Sequence, residues 1–436
     1  MRSIPHLVIV ILLVALPVCA ANHYVLPSPG TGAKNGADWN NACSDFTGSC
    51  APGSLVRGDF YYVGAGTFNS ENWNAPDSGT LVISIVKATA ANSSSVAGWN
   101  SSYAAQATFT QRNIISTDYW LFDGQVGDYW ASGIGSYGFK EQYSVGVYAT
   151  TPQTTGAAFQ TNGSNITIQY WDCSGYLGTG EYDYPGQAKC IELYGGNNIT
   201  IQYMAMHGCE SCMQGGGNNI LVQYVNIYNA RSNATNYHEN TVCYCSEVNG
   251  FTFRYSKVWE FEAEGLFLTG YTGSVSNIYM YGNVFWDNPS DSYPNYPRGL
   301  EVREGYSYSN VYAYNNTFYN LTWGIDDLTA SEGGSCTTCV ATDNVMVDST
   351  YLQGNFTGVS NTVDSNTSRF TSVATYPNYN FQLVTDVAGT ALASPYNYDM
   401  LGNLRGSPDW SGGAYQYESG GTTKPLPPTN LTAIVH

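Results

Sequence analysis

Positive charge is what this sequence has least of. Its 15 Lys and Arg stand against 33 Asp and Glu, for a net charge of −18 and a pI near 4.4. That leaves no basic surface to track a phosphate backbone, which excludes nucleic acid as a partner. It also disfavours passive attraction to strongly anionic polymers unless a local basic or calcium-bearing groove overrides the global field. Charged residues of either sign make up only 11 % of the chain, so any place where they gather stands out. Long apolar runs are equally scarce: beyond the opening residues none is long enough for a membrane span.

The opening itself, MRSIPHLVIVILLVALPVCA, has a basic Arg2, an apolar run from Leu7 to Leu16 and the small-residue site Val18-Cys19-Ala20 before Ala21. It reads as a secretory signal over residues 1–20, and the mature chain as secreted, extracellular or periplasmic. Of the 11 cysteines, Cys19 leaves with the signal. The even number remaining, in an oxidising compartment, points to disulfides. Cys43 and Cys50 close a short loop and are expected to pair. Cys209-x-x-Cys212 and Cys336-x-x-Cys339 have the look of a four-thiolate zinc site, but they lie far apart in the chain, and disulfide staples between structural units are the preferred expectation.

What is abundant is Tyr (37), Gly (47), Trp (10) and one recurring phrase. It runs NITIQYWDCSG at Asn165, NNITIQYMAMHG at Asn197, NNILVQYVNIYN at Asn218, NGFTFRYSKVWE at Asn249, SNIYMYGNVFWD at Ser276 and SNVYAYNNTFYN at Ser309. The spacing of roughly 20 to 35 residues marks a stacked array. Within each phrase the apolar residues alternate, as Ile166 and Ile168 do against Thr167 and Gln169, which suits half-buried strands. No unit can bury its apolar row alone, whereas stacking buries a continuous core and lets Asn at one point of successive coils form a side-chain ladder. The expectation is an all-β, single-stranded right-handed parallel β-helix of about ten coils. A β-sandwich would need closer strand spacing with hairpin turns.

Residues 21–58 read as an irregular N-terminal cap, Asp59-Phe-Tyr-Tyr-Val as the first coil, 59–418 as the helix and 419–436 as a Gly/Thr/Pro linker or short C-terminal tail. The stretches Asn380-Phe-Gln-Leu, Asp399-Met-Leu-Gly-Asn-Leu-Arg and Gly413-Ala-Tyr-Gln-Tyr resemble the terminal coil of secreted bacterial right-handed β-helix proteins of the pectin-lyase-like superfold. Pro428-Thr-Asn-Leu-Thr-Ala is similar to the opening strand of a fibronectin type III module. The first resemblance implies the fold; the superfold carries lyases, hydrolases, epimerases and adhesins alike.

Chemistry is expected on the strand that follows each Asn-bearing strand. If Ile191, Leu193, Leu266, Leu268, Leu300 and Val302 point inward, their alternates form an outward stripe. That stripe holds Glu192, Gln214, a residue from His238-Glu239-Asn240, Phe267, Glu301 with Arg303, and Asp326. Beside it, Trp259-Glu260-Phe261-Glu262-Ala263-Glu264 is the densest carboxylate cluster, read as a turn. The candidate catalytic set is therefore His238, Glu239, Glu262, Glu264, Glu301 and Arg303, with Glu192, Trp259, Phe267 and Asp326 contacting substrate. Glu239, Glu262 and Glu264 could hold calcium. Hydrolysis of a glycoside needs two carboxylates about 5 to 9.5 Å apart; elimination from a uronic acid needs a cation on its carboxylate and a base for the C5 proton. Leu300-Glu-Val-Arg303-Glu-Gly is similar to the arginine element of the chondroitinase B and alginate lyase group, but the lysine of that group has no counterpart at Tyr244-Cys245-Ser246 or Leu268-Thr269-Gly270. Polygalacturonase motifs are missing or in reversed order. The reading is a secreted protein that binds an extracellular polysaccharide and cleaves it, as lyase or glycoside hydrolase; the alternative is a non-catalytic, adhesive glycan-binding β-helix.

Overall fold

The computed structural model describes residues 20–417 except 70–71, 111, 126–136, 142–155, 175–187, 231–239, 245–246, 271–272, 288–296, 304–305, 353 and 407–409. The strands fall into three parallel stacks, one per face of a parallel β-helix. On the first face Asn22–Leu26, Phe60–Val63, Ile83–Lys87, Trp120–Asp123, Ile166–Gln169, residues 199–202 and 220–223, Val248–Arg254, Val275–Tyr281, Ser307–Tyr314 and Ser335–Thr342 pair in register. The second face is an 11-stranded sheet from Gly66–Phe68 to Thr362–Asp364. The third runs through Asn113–Ile115, Gly156–Thr161, residues 188–193 and 211–216, Val242–Tyr244, Glu264–Thr269, Arg298–Arg303 and Trp323–Asp327.

The repeated phrase sets this geometry rung by rung. Its second Asn sits at the corner before the first face: Asn165, Asn198, Asn219, Asn277 and Asn310 all have positive φ, with Gly250 taking the same place in its coil. Asn tolerates that left-handed conformation better than most residues because its short amide bonds locally. Asn198 Nδ2 donates to Asn165 Oδ1 at 3.0 Å and Asn310 Nδ2 to Asn277 Oδ1 at 2.9 Å, so the corner is also a ladder. At the far end of the strand Gln223, Gln202 and Gln169 form another, each amide 2.6 Å from the next. Tyr170, Tyr203, Tyr224 and Tyr255 then turn the chain with positive φ. Their rings stack at 5.0, 5.2 and 5.4 Å. A third ladder, interior at Asn283, Asn316 and Asn344, ends at the half-buried Asn361. Each Asn Oδ1 accepts from the preceding Asn Nδ2 at 2.9–3.0 Å, and each Nδ2 also donates to a backbone carbonyl.

Several expectations are corrected here. The stack begins before Asp59: Asn22–Leu26 already pairs in parallel with Phe60–Val63, so the presumed cap contributes a rung. The closing stretch does not add a terminal coil. Phe370–Ser372 and Asn380–Leu383 form an antiparallel hairpin, and the chain after it lies against the flank of the helix. Phe381 meets Trp286 at 5.3 Å and Tyr396 meets Tyr314 at 4.8 Å, while Gly413 N donates to Asp343 O and Ala414 N to Thr317 Oγ1. Cys43–Cys50 is a disulfide as expected, and Cys209–Cys212 and Cys336–Cys339 are disulfides as well, the first across the corner between Ala205–Cys209 and Ser211–Gln223 and the second within the strand Ser335–Thr342. That removes the four-thiolate zinc arrangement, and these pairs do not staple one coil to another. Among the described residues no helix is long and apolar enough to cross a membrane.

Candidate functional site

The third face carries the expected stripe, in register. Glu192 pairs with Gln214, Gln214 with Cys243, Cys243 with Phe267, Phe267 with Glu301 and Glu301 with Asp326. The position assigned to His238, Glu239 or Asn240 is thus Cys243; His238 and Glu239 lie outside the described residues. From Glu192 to Glu301 is four rungs, on the order of 19 Å along the axis.

A second column lies beside the first, at the corner where each strand begins. Glu264 pairs with Arg298 and Arg298 with Trp323, and each is followed by glycine: Glu264-Gly265-Leu266, Arg298-Gly299-Leu300, Trp323-Gly324-Ile325. A Cβ at Gly265 would fall 2.6 Å from the Phe285 ring and one at Gly299 2.3 Å from Phe318. Only glycine lets this corner close on the aromatic core of the second face, and that closure sets the preceding side chain against the stripe.

The two columns meet at Arg298. Its Nε donates to Asp326 Oδ2 at 2.9 Å and its Nη1 to Glu264 Oε1 at 3.4 Å, while the guanidinium lies 4.9 Å from the centre of the Trp323 ring. Glu301 Oε2 is 3.2 Å from the same Nε, but the single N–H there points to Asp326, so this oxygen gains the charge and no hydrogen bond. Glu264 Oε2 and Asp326 Oδ1 are likewise buried without a hydrogen-bond partner. Arg303, in register with Thr269, reaches Glu301 Oε1 at 3.5 Å and Glu332 at 3.3 Å. The contrast in exposure matters: the Glu301 side chain is 0 % exposed and that of Arg303 40 %.

Glu264, Glu301, Asp326 and the more exposed Glu332 gather around two guanidiniums, Arg298 and Arg303, an excess of negative charge that low-dielectric surroundings penalise at the buried members. The effect falls most strongly on Glu264. Burial first, then its hydrogen bond to Glu301 and the charge of Glu301, hold the Glu264 carboxyl well above the usual carboxylate range. Burial and the Glu301 charge also raise Asp326, with Arg298 opposing. A carboxyl kept neutral beside an ionised one is the arrangement from which a proton can be donated.

The other expected residues fall elsewhere. The strand Lys257–Phe261 replaces most of the presumed turn. Trp259 is in a buried stack on the second face, 4.6 Å from Tyr228 and 4.9 Å from Trp286, rather than on the stripe. Glu262 is buried at the corner between Phe261 and Glu264. Among the described residues no group of three or more His, Cys, Asp or Glu is arranged to hold a metal ion. Within the acidic cluster the central positive charge is Arg298. Phe267 faces the stripe, outside the apolar core and almost wholly covered.

At the other end of the stripe is a second charged group. Lys189 Nζ is 2.8 Å from Glu192 Oε1, and Arg112 Nη2 is 3.8 Å from Glu192 Oε2. Tyr194 beside them is 57 % exposed. Sequence reading named Glu192 as a contact but gave no role to Lys189, Arg112, Arg298, Trp323 or Tyr194. The glycine after Glu264, Arg298 and Trp323 was the available signal for the second column.

Comparison with known proteins adds the fold. No sequence family matches the chain, and no curated protein matches it in sequence. Among solved structures, the crystal structure of pectate lyase Pel9A superposes with a TM-score of 0.51 at 13 % identity, covering 92 % of this chain and 97 % of that one. A rhamnogalacturonan lyase (TM-score 0.39, 11 % identity, 81 % and 91 %) and the PL6 family polysaccharide lyase Pedsa3628 from Pseudopedobacter saltans (0.34, 11 %, 72 % and 90 %) are also similar. At 13 % identity the likeness to Pel9A speaks for the course of the chain and not for its chemistry.

Proposed function

We propose that this protein binds an extracellular polysaccharide along its third face and cleaves it at the Glu264–Glu301–Asp326 centre. The observation that carries the reading is the convergence of three buried carboxylates on Arg298, one of them, Glu264, raised well above the usual carboxylate range by burial and by Glu301. A stripe of on the order of 19 Å accommodates several sugar units; Arg112 and Tyr194 sit at one end and Arg303 at the other. Pel9A, a pectate lyase by its name, is built on the same fold, which makes a polysaccharide the first substrate class to test.

In this reading protonated Glu264 gives its proton to the glycosidic oxygen as the carbon–oxygen bond breaks, and that oxygen keeps the bonding electron pair. The proton is recovered from water in hydrolysis, or from the sugar carbon that loses it in elimination. Glu264 and Glu301 both contact the Arg298 guanidinium, and Glu301 raises the Glu264 carboxyl. They therefore act as a proton-sharing pair rather than as opposed acid and nucleophile.

A second reading, glycan binding without cleavage, is favoured by the complete burial of Glu301. Incubating the protein with a panel of neutral and uronic polysaccharides, with and without calcium, separates the two. New reducing ends alone mean hydrolysis; reducing ends with absorbance of unsaturated product mean a lyase. Retardation in polysaccharide-containing gels without either product supports binding alone, and no retardation and no product on any polymer overturns both readings.

A further inference from the structure

The start of the first rung holds an arrangement that neither the fold nor the third face requires. Asp59, at the beginning of the second rung, is 4 % exposed. Its Oδ1 accepts from the backbone nitrogen of Ala21 at 2.8 Å, and its Oδ2 lies 2.9 Å from His23 Nε2. Among the described residues the only side-chain ion-pair partner of Asp59 is His23, which carries charge only when protonated. A buried carboxylate is thus held by a neutral amide and a histidine stacked on Tyr61 at 4.6 Å, a weak set of partners for a desolvated charge. Ala21 is at the same time the residue that follows the small-residue site Val18-Cys19-Ala20, where a secretory signal is expected to be cut.

We infer that cleavage between Ala20 and Ala21 supplies the missing charge: the α-ammonium of Ala21 becomes the ion-pair partner of Asp59 and locks the first rung onto the second. A signal peptidase hydrolyses the Ala20–Ala21 amide. Water's hydroxyl goes to the Ala20 carbonyl and its hydrogen to the Ala21 nitrogen, which then takes a proton from solvent. The nitrogen that donated one neutral hydrogen bond to Oδ1 now carries a full positive charge at the same place, and a charge-assisted bond of this kind is about twice as strong as a neutral one. The geometry needs no rearrangement, because Ala21 O already accepts from Phe60 N at 2.9 Å and Asn22 is in register with Phe60. Cys43–Ser44 covers the outer edge of this rung only at Val25 and Leu26, so the pair sits at the end of the strand where fraying would begin.

The test uses the full chain exported with its own leader. Intact mass and N-terminal sequencing are expected to show a mature chain beginning at Ala21. Amide exchange of His23, Tyr24 and Val25 is then compared with that of a chain carrying one additional Ala before Ala21, which moves the ammonium one residue away, and with Asp59→Asn. Both are expected to exchange about tenfold faster in this rung, a change matching a charge-assisted bond of about 1.4 kcal/mol. The double variant is expected to add nothing further. A mature terminus at any other residue, or an extended chain that exchanges like the mature one, overturns the assignment; the extended chain decides the matter even if Asp59→Asn does not fold.

Discussion

The first face and the third face belong to the same coils and yet follow opposite rules. On the first face, over the rungs that lie between Asp123 and Arg254 at the strand end, one residue type recurs down each column: Asn165, Asn198 and Asn219 at the corner, Gln169, Gln202 and Gln223 at the strand end, Tyr203, Tyr224 and Tyr255 after it. These groups are neutral, each both donates and accepts or stacks, and identical neighbours satisfy one another. On the third face the column changes at every rung: Glu192, Gln214, Cys243, Phe267, Glu301, Asp326. Carboxylates cannot ladder with themselves, because like charges at the spacing of adjacent strands repel. They persist here because Arg298 is placed between them. A repeated column therefore reports architecture, and a broken column reports a site.

That contrast can be broken by experiment. The largest effect is expected from Arg298→Met, which leaves Glu264, Glu301 and Asp326 without their central charge. Stability should fall by about 3 to 5 kcal/mol, read by urea unfolding, and cleavage should disappear; a variant as stable as the parent would show that the cluster is not ionised as described. Glu264→Gln should lower the cleavage rate by about 10² to 10⁴ without loss of stability at neutral pH, because the amide has the shape of the protonated acid. The sign follows from the raised Glu264 carboxyl. Its contribution to stability is fully present below the unfolded value of 4.5 and is lost as pH rises towards the folded value. The parent should thus lose stability relative to Glu264→Gln as pH rises through that window, and parallel melting curves of the two across it would sink the protonated assignment.

On the repeated side, Asn316→Ala removes the acceptor for Asn283 and the donor to Met280 O and Asn344. It should cost about 3 kcal/mol and leave the rate per folded molecule unchanged; a rate loss beyond the folded fraction would mean that the ladders and the site are coupled. The smallest effect belongs to Tyr194→Ala at the exposed end of the stripe. It is expected to weaken polysaccharide binding about threefold with no change in melting temperature, as surface substitutions do. Unaltered affinity would shorten the proposed binding stripe to its Arg303 end.

Much of the fold was legible because the phrase repeats. Alternation in Ile166-Thr-Ile168-Gln gave the facing, and the coil-to-coil return of Asn gave the stack. The site was legible in part for the same reason: inward Leu266, Leu300 and Ile325 make Phe267, Glu301 and Asp326 face the stripe. Trp259 shows where periodicity stops. Its neighbours read as an acidic turn, but Tyr228 and Trp286 stack on it across adjacent coils, and packing between rungs is invisible within one rung. The tail shows the same thing over a longer range. Nothing in Asn380-Phe-Gln-Leu says that Phe381 meets Trp286 rather than continuing the stack, since both arrangements bury the same apolar row.

By itself the sequence determined the stacked parallel architecture, the Asn ladder and the face on which charge gathers, because these depend on short-range alternation and a regular return. Only the tertiary structure decided that Arg298 stands among those carboxylates, and that burial and Glu301 raise the Glu264 carboxyl. Those outcomes turn on distances between residues some thirty positions apart in the chain and one strand apart in space, and on the exclusion of water from the carboxylates they bring together.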